Sequence, residues 1–274
     1  MKKMILFIFG ALVWSIAIQS CESSNAPESG VNVGTLQLKI TDAPFPFDKV
    51  EEANVTISKI EVRNKEESED DAFEVVFEEE VELNLLNLRN GVTENLPGAL
   101  LGVGSYDLVR LYVSGASIKM FDSELYDLTV PSGAQTGIKL FVNPEIQIQG
   151  GLTAELLLDF DLSESFVIQG NIDSPNGFLF KPVIRAVNNS LAGSINGTVT
   201  DGIDALMGVE ITVTLEGESA TAVTGENGYY QIIGLKEGDY SVSAELEGYV
   251  NSEPSGVSVV ANEVSEQNFV LSEQ

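Results

Sequence analysis

Apolar and polar side chains alternate along most of the chain beyond residue 33, with a repeat of two residues. Leu36, Leu38 and Ile40, for example, alternate with polar neighbours. This repeat predicts β-strands that bury one face, because successive side chains of a strand point to opposite sides of the sheet. The phase shifts at Ser58 and Lys59, which is typical of a β-bulge. No twelve-residue stretch beyond residue 21 has a helical stripe, so we predict an all-β chain.

The same repeat predicts where individual strands lie. The first strand should stop at residues 41–46, where two prolines interrupt the pattern, and Asp42 is interpreted as a turn former. The acidic segment 65–72 should form a hairpin tip, and residues 97–104 a connection. Further strands are predicted at 73–77, 81–88, 106–113, 117–120, 125–130, 135–142, 154–162 and 178–186.

Many short strands with turn residues between them are typical of β-sandwiches. A short polar joint at residues 188–192 separates two strand-rich regions. We therefore predict two β-sandwich domains in tandem, at residues 34–187 and 193–274. Residues 21–33 are polar, contain proline and glycine, and are predicted to be a flexible tether.

The first twenty residues have the pattern of a secretory signal peptide. Lys2 and Lys3 precede an apolar run, and Cys21, the only cysteine of the chain, follows it. The run is too short to be typical of a membrane-spanning helix. Residues 17–21 (Ala-Ile-Gln-Ser-Cys) resemble the lipobox of bacterial lipoproteins. An ordinary secretory signal with an incidental cysteine is the alternative.

The lipobox resemblance implies that residues 1–20 are removed and that Cys21 is acylated. Several acyl chains anchor a protein stably, whereas one chain alone does not. The resemblance also implies a cell-envelope lipoprotein, which we expect in an outer membrane, facing either the periplasm or the cell surface. The anchor makes the membrane the first predicted partner.

Charge narrows the classes of partner. The chain has 14 Lys and Arg against 42 Asp and Glu, a formal net charge of -28. Such a surface repels phosphate backbones, which excludes nucleic acid as a partner. The sequence contains no histidine, which excludes histidine-based triads and metal sites. A single cysteine allows no internal disulfide, and we expect no cofactor.

Five segments of the first domain resemble a bacterial and archaeal domain-of-unknown-function family, numbered 4382. They begin with Gly-Thr-Leu-Gln-Leu-Lys-Ile-Thr-Asp-Ala-Pro from residue 34, and the resemblance covers about residues 34–187. It implies a β-rich lipoprotein domain and no established activity. The other segments are 104–111, which includes Tyr106 and Arg110, 137–140, 158–161 and 182–186.

Three carboxylates of the predicted strand 154–162 share one face. Glu155, Asp159 and Asp161 are weak candidates for a metal site, because Ca²⁺ takes oxygen ligands. No regular calcium-binding loop accompanies them. The alternatives are a solvated acidic face, or a carboxylate paired with a nearby arginine or lysine. We expect no bound metal.

The second domain has sharper motifs. Asn227-Gly228 is a strong hairpin signal, and Gly238 precedes an alternating strand. The region 193–272 resembles the carboxypeptidase regulatory-like family. That resemblance implies a seven-stranded transthyretin-like, Ig-like sandwich without catalytic activity. Because related domains bind starch, Tyr229, Tyr230 and Tyr249 are weak candidates for ligand binding, with core packing as the alternative.

Together these features predict a non-enzymatic, lipid-anchored protein of the cell envelope. Its β-sandwich surfaces would serve as a binding or structural module for a protein or glycan partner. The runner-up hypothesis is a carbohydrate-binding accessory lipoprotein of polysaccharide uptake. A carboxylate-based hydrolase is a remote third hypothesis, since an acidic chain always offers some pair of carboxyls at loose spacing.

Overall fold

The computed structural model describes residues 32–43, 49–67, 72–122, 124–130, 136–171 and 174–274, and structural statements below refer to these. Cys21 and the lipobox lie outside the described residues. Residues 31–274 form one compact unit. No helix in the described ranges is both long enough and apolar enough to cross a membrane.

The first domain consists of long antiparallel and parallel strands with little helix. A four-residue helix α1 spans Leu162–Ser165, and a 3₁₀ turn spans Leu85–Leu88. The strands are β1 Val33–Ala43, β2 Val50–Asn64, β3 Phe73–Phe77, β4 Val81–Asn84, β5 Glu94–Gly102, β6 Gly104–Met120, β7 Leu125–Leu128, β8 Ile138–Ile148, β9 Thr153–Asp161, β10 Phe166–Asn171, β11 Ser174–Phe180 and β12 Ile184–Asn188.

Ten of these strands form one continuous sheet whose main path is β3-β2-β6-β8-β12-β9-β1-β5. Strand β8 joins the two halves of the sheet, because it pairs with β6 on one side and β12 on the other. The end strands β3 and β5 lie close together. The Tyr106 hydroxyl is 2.8 Å from the Glu74 carboxylate of β3 and 3.1 Å from the Gly102 carbonyl of β5. The sheet therefore encloses its own apolar core.

A 3₁₀ turn at Asn189–Leu191 leads into the second domain, which has two facing sheets. One sheet contains β13, β16, β19 and β20, and the other has the order β15-β14-β17-β18. Because β19 and β20 both pair parallel with β13, they act as one interrupted strand, and the sandwich has seven strands. The strands are β13 Gly193–Thr200, β14 Glu210–Leu215, β15 Glu218–Val223, β16 Tyr229–Leu235, β17 Gly238–Glu245, β18 Ser255–Val259, β19 Val264–Glu266 and β20 Phe269–Val270.

The predicted fold class is confirmed: the chain is all-β, with tandem β-sandwich domains. The predicted bulge is also confirmed, because the pairing of β2 with β6 shifts register between Ile57 and Lys59. Strand β3 has the predicted bounds.

Several predicted boundaries were wrong. Residues 97–104 were predicted to be a connection, yet most of them belong to β5, which tolerates Pro97 because it is an end strand of the sheet. The pattern 81–88 was predicted to be one strand. It ends instead at Asn84, whose side chain accepts a hydrogen bond from the Leu86 N–H and starts a 3₁₀ turn.

Three further boundaries depend on pairing that the local pattern does not reveal. Strand β1 continues through Thr41 to Ala43 because these residues pair with β9. The two strands predicted at 106–113 and 117–120 are the single strand β6, which runs through irregular pairing with β2. The strand predicted at 178–186 is divided between β11 and β12, and the hairpin partner β10 was missed.

Candidate functional site

The two domains meet along β9 of the first domain. Leu157 lies on the same face of β9 as Glu155 and Asp159, yet its side chain is fully buried. A methyl group at Gly234 of the second domain would lie 2.8 Å from Leu157 Cδ2 and 3.7 Å from Val187. Gly234 also has a positive φ of 70°, which favours glycine. The second domain therefore covers this apolar side chain of an otherwise polar face.

A cleft of about 600 Å³ opens beside this contact, and we call it the interdomain cleft. Side chains of β8 and β12, among them Lys139, Phe141 and Arg185, form its wall in the first domain. The opposite wall comes from β15, the turn around Lys236 and the Tyr240 ring of β17. Its volume lies within the usual range of small-ligand sites.

Basic side chains dominate the charge of the interdomain cleft. Lys139, Arg185 and Lys236 line it, although acidic residues outnumber basic ones threefold in the chain. The acidic side chain in its lining is Glu218, which is 81% exposed and lies 3.4 Å from Lys236. Lys139 has no ion-pair partner within the described ranges. The cleft is therefore a local region of positive charge on an acidic protein.

Arg185 is held in place by a buried carboxylate. It faces Asp159 across the pairing of β12 with β9, and both its Nε and Nη2 donate to Asp159 Oδ2, the Nε over 3.1 Å. Burial raises the pKa of Asp159, and the Arg185 guanidinium opposes this rise. Arg185 also reaches the second domain electrostatically, because its charge opposes the rise in the Tyr240 pKa that burial causes.

Asp42 lies beside this pair and is more deeply buried than its sequence suggested. It belongs to β1, opposite Phe160 of β9, and is 4% exposed. Among the described residues, none donates a hydrogen bond of good geometry to either of its carboxylate oxygens. Burial, followed by the nearby Asp159 carboxylate, raises the pKa of Asp42 well above its usual value, against the effect of the Leu162 N–H. The interpretation of Asp42 as a turn former was wrong.

A second, smaller cleft of about 360 Å³ lies next to the interdomain cleft and has the opposite charge. Asp159, Asp161, Glu164 and Glu210 line it, together with residues of β15. Arg185 and Ser219 line both clefts. A basic and an acidic depression thus share the border between the two domains.

The three weak metal candidates do not converge. Glu155 accepts hydrogen bonds from Lys39 Nζ at 2.9 Å and Asn189 Nδ2 at 2.8 Å. Burial favours its neutral form, but these contacts outweigh burial and lower the Glu155 pKa. Asp161 instead caps α1, accepting from the Glu164 N–H at 3.1 Å. In the part of the chain that is described, no group of three or more His, Cys, Asp or Glu side chains is placed to hold a metal ion.

The three candidate tyrosines occupy different environments. Tyr230 is fully buried and donates a hydrogen bond to the Gln267 carbonyl over 2.6 Å, so burial removes it from the ligand-binding candidates. The Tyr229 hydroxyl lies 3.0 Å from Gln231 Oε1. Tyr249 is partly buried against the core of the second domain. None of the three lines the interdomain cleft.

The chain matches two known protein families. The profile described as domain of unknown function (DUF4382) matches residues 33–182, which is more than half of the chain. The chain belongs to the DUF4382 family. The carboxypeptidase regulatory-like domain matches residues 194–272. Both resemblances inferred from the motifs are confirmed.

Solved structures resemble this DUF4382 protein only loosely. The Bacillus anthracis TIE protein is 18% identical, with a TM-score of 0.28; the match covers 88% of this chain and 34% of that one. This chain therefore spans about a third of that protein. The minor pilin GBS52 of Streptococcus agalactiae is 12% identical, with coverages of 87% and 96% and a TM-score of 0.26.

The shaft pilin SpaA of Lactobacillus rhamnosus GG is 8% identical to this chain. Its match covers 88% of this chain and 98% of that one, with a TM-score of 0.28. Scores this low support no argument about function. No curated protein matches the chain.

Some motif residues of the DUF4382 domain have structural roles. A methyl group at Gly137 would lie 2.3 Å from Arg110 Cγ, and Gly137 has a φ of 69°. Because Gly137 has no side chain, Arg110 has room to stack on the Phe73 ring, with its guanidinium carbon 3.7 Å from the ring centroid, and to donate a hydrogen bond to Glu61 over 3.2 Å. Tyr112 donates to the same carboxylate over 2.8 Å.

The interdomain cleft itself was missed at the sequence level. Lys139 and Phe141 share one face of β8, but their pattern looks like that of any half-exposed strand. Lys236 is more than ninety positions further along the chain. The sequence shows an aromatic residue two positions after a lysine, but the 71% exposure of Phe141 is known only from the structure.

Proposed function

We propose that this protein is a non-catalytic binding module of the bacterial cell envelope, anchored by acyl chains on Cys21. A ligand, carried by a protein or glycan partner, binds in the interdomain cleft. The observation that supports this role is the cleft itself, where Phe141 and three cations converge from both domains. Concave sites between domains with a few convergent polar groups are the usual location of ligand binding.

The chemistry of the lining favours binding over catalysis. Hydrolysis by carboxylates needs an acid and a base that face each other across the substrate. The interdomain cleft offers Glu218 alone, and Glu218 is largely exposed. In the neighbouring acidic cleft, Asp159 is engaged by Arg185, and Asp161 caps α1. Two of the four carboxylates that line the acidic cleft are thus engaged in structural contacts, which favours a binding module over a carboxylate-based hydrolase.

The anchor and the location rest on the leader and on Cys21. We propose an outer-membrane lipoprotein that faces the periplasm or the cell surface. Expression in a Gram-negative host, followed by detergent phase partition, tests this. The parent chain should enter the detergent phase, and Cys21→Ser should remain in the aqueous phase. If both remain aqueous, the anchor is disproved.

The binding role is tested with a reporter in the cleft. The double variant Trp14→Phe/Phe141→Trp leaves one tryptophan in the whole chain. Its fluorescence should respond to at least one member of a mixed panel of oligosaccharides and peptides. Ala220 lines both clefts. When it is introduced into the parent chain, Ala220→Trp should abolish binding of that compound, as measured by calorimetry. A panel without any response, with the fold intact, contradicts the binding role.

A further inference from the structure

We infer that the interdomain cleft binds an acidic oligosaccharide, whose sugar rings carry carboxylate or sulfate groups. This inference rests on the proposed function and names the class of ligand. It follows from three features of the cleft: its charge, the exposed ring of Phe141 and the strands that form its two walls.

The positive charge of the cleft favours anionic ligands. Most basic side chains of the described residues pair with carboxylates; these are Lys39, Lys59, Arg63, Lys65, Arg110, Lys119, Arg185 and Lys236. Lys139 has no such partner within that part of the chain, and it points into a cleft that two further cations line. Lys236 has only a long contact with the exposed Glu218. An anion that enters the cleft would satisfy charges that the protein leaves incompletely paired.

The aromatic ring beside these charges suits a sugar. Phe141 is 71% exposed and lies two residues from Lys139 on the same face of β8. A flat apolar ring face next to donor groups matches a pyranose, which has an apolar face and a polar rim. Asn143 adds an amide on the same wall. A simple inorganic anion would make no use of the ring.

The wall of the cleft in the first domain offers a ligand the Phe141 ring and charged donors. One side of β8 pairs with β6 and one side of β12 pairs with β9, while β8 and β12 pair with each other only at Val142 and Ala186. On the opposite wall, β15 is an end strand, and a peptide can pair with such an edge. An acidic peptide is therefore included among the probes.

The experiment uses the single-tryptophan chain, Trp14→Phe/Phe141→Trp, in detergent. The probes are oligogalacturonates from pectin and sulfated oligosaccharides from carrageenan. Carboxyl-reduced and desulfated forms of the same oligosaccharides are the neutral controls, and oligoglutamate of equal charge is the peptide control. Calorimetry on the parent chain with the same probes guards against a reporter that fails to fold.

The expected result is binding of at least one acidic oligosaccharide, with its neutral form about tenfold weaker or more. The double variant Lys139→Gln/Lys236→Gln should weaken the affinity for the acidic probe about tenfold and leave the affinity for its neutral form unchanged. Lys119→Gln, which removes a lysine paired with Glu51 and Glu52 outside the cleft, should have no effect. Higher salt should weaken the acidic probe.

Three results overturn the inference. Equal affinity for the acidic and neutral oligosaccharides would disprove the anionic class while leaving the binding role intact. Tighter binding of oligoglutamate would show that the ligand is a peptide. If no probe binds, the inference fails, and the broader panel described above then decides separately whether the cleft binds anything.

Discussion

Leu157 of the first domain is covered by Gly234 of the second, at a point where no larger residue fits. A methyl group at position 234 would lie 2.8 Å from Leu157 Cδ2, and the backbone there has a positive φ of 70°. The contact forms the edge of the interdomain cleft, since Gly234 also lines it. The position of one glycine therefore bears on both the interface and the site.

Gly234→Ala should destabilise the chain by about 2–3 kcal/mol, because backbone strain and close contact with Leu157 add together. Gly217→Ala is the matched control: Gly217 has a φ of 89°, and nothing lies within 4 Å of its missing Cβ. That variant should lose about 1 kcal/mol, from strain alone. Urea unfolding measures both, and equal losses would contradict a tight interface.

Arg185→Gln should cost about 2–3 kcal/mol, because it leaves the buried Asp159 carboxylate without its main partner. The loss of unfolding free energy should be smaller than for an ion pair with both side chains fully buried, since the Arg185 side chain is 41% exposed. Asp159→Asn in the same chain should restore most of the lost free energy of unfolding. A double variant as unstable as Arg185→Gln would show that charge is not the cause.

Asp42→Asn should stabilise the chain at neutral pH by about 1–3 kcal/mol, since it removes a buried carboxyl group whose ionisation burial disfavours. The direction of the change in stability with pH follows from proton binding. The folded state holds the Asp42 proton more tightly than the unfolded state, so the parent loses stability as pH rises from the ordinary aspartate pKa of 3.8 to the raised folded pKa.

The advantage of Asp42→Asn should therefore be largest above the folded pKa and should shrink as pH falls towards 3.8. Asp159, Asp161 and Arg89 also influence this carboxyl, so the comparison is made between variant and parent at each pH. Unfolding curves from acid to neutral pH provide the measurement. An advantage that does not vary with pH would contradict titration of Asp42.

Tyr230→Phe should cost about 1–2 kcal/mol, because the buried hydroxyl donates to the Gln267 carbonyl and the variant leaves that group unpaired. Tyr229→Phe removes a hydroxyl that is less buried and should cost less than about 0.5 kcal/mol. Thermal unfolding of both variants gives the comparison. Equal losses would argue that the hydrogen bond from Tyr230 to Gln267 does not stabilise the fold.

Pattern and motif together predicted the fold class, because burial of one face imposes a two-residue repeat that survives in any β-sandwich. The bulge near Lys59 was predictable for the same reason, since an extra residue reverses the phase. Strand β5 was not, because Pro97 is acceptable in a strand only at a sheet edge or a bulge, and neither is a local property of the sequence.

The sequence by itself determined the alternation of buried and exposed residues, the turn glycines and the overall negative charge. Tertiary structure alone decided that Leu157 would be covered rather than exposed, and that Lys139, Arg185 and Lys236 would line one cleft. These residues come from strands and turns far apart in the chain. Local periodicity reports which face of a strand is buried, but it does not report what lies against that face.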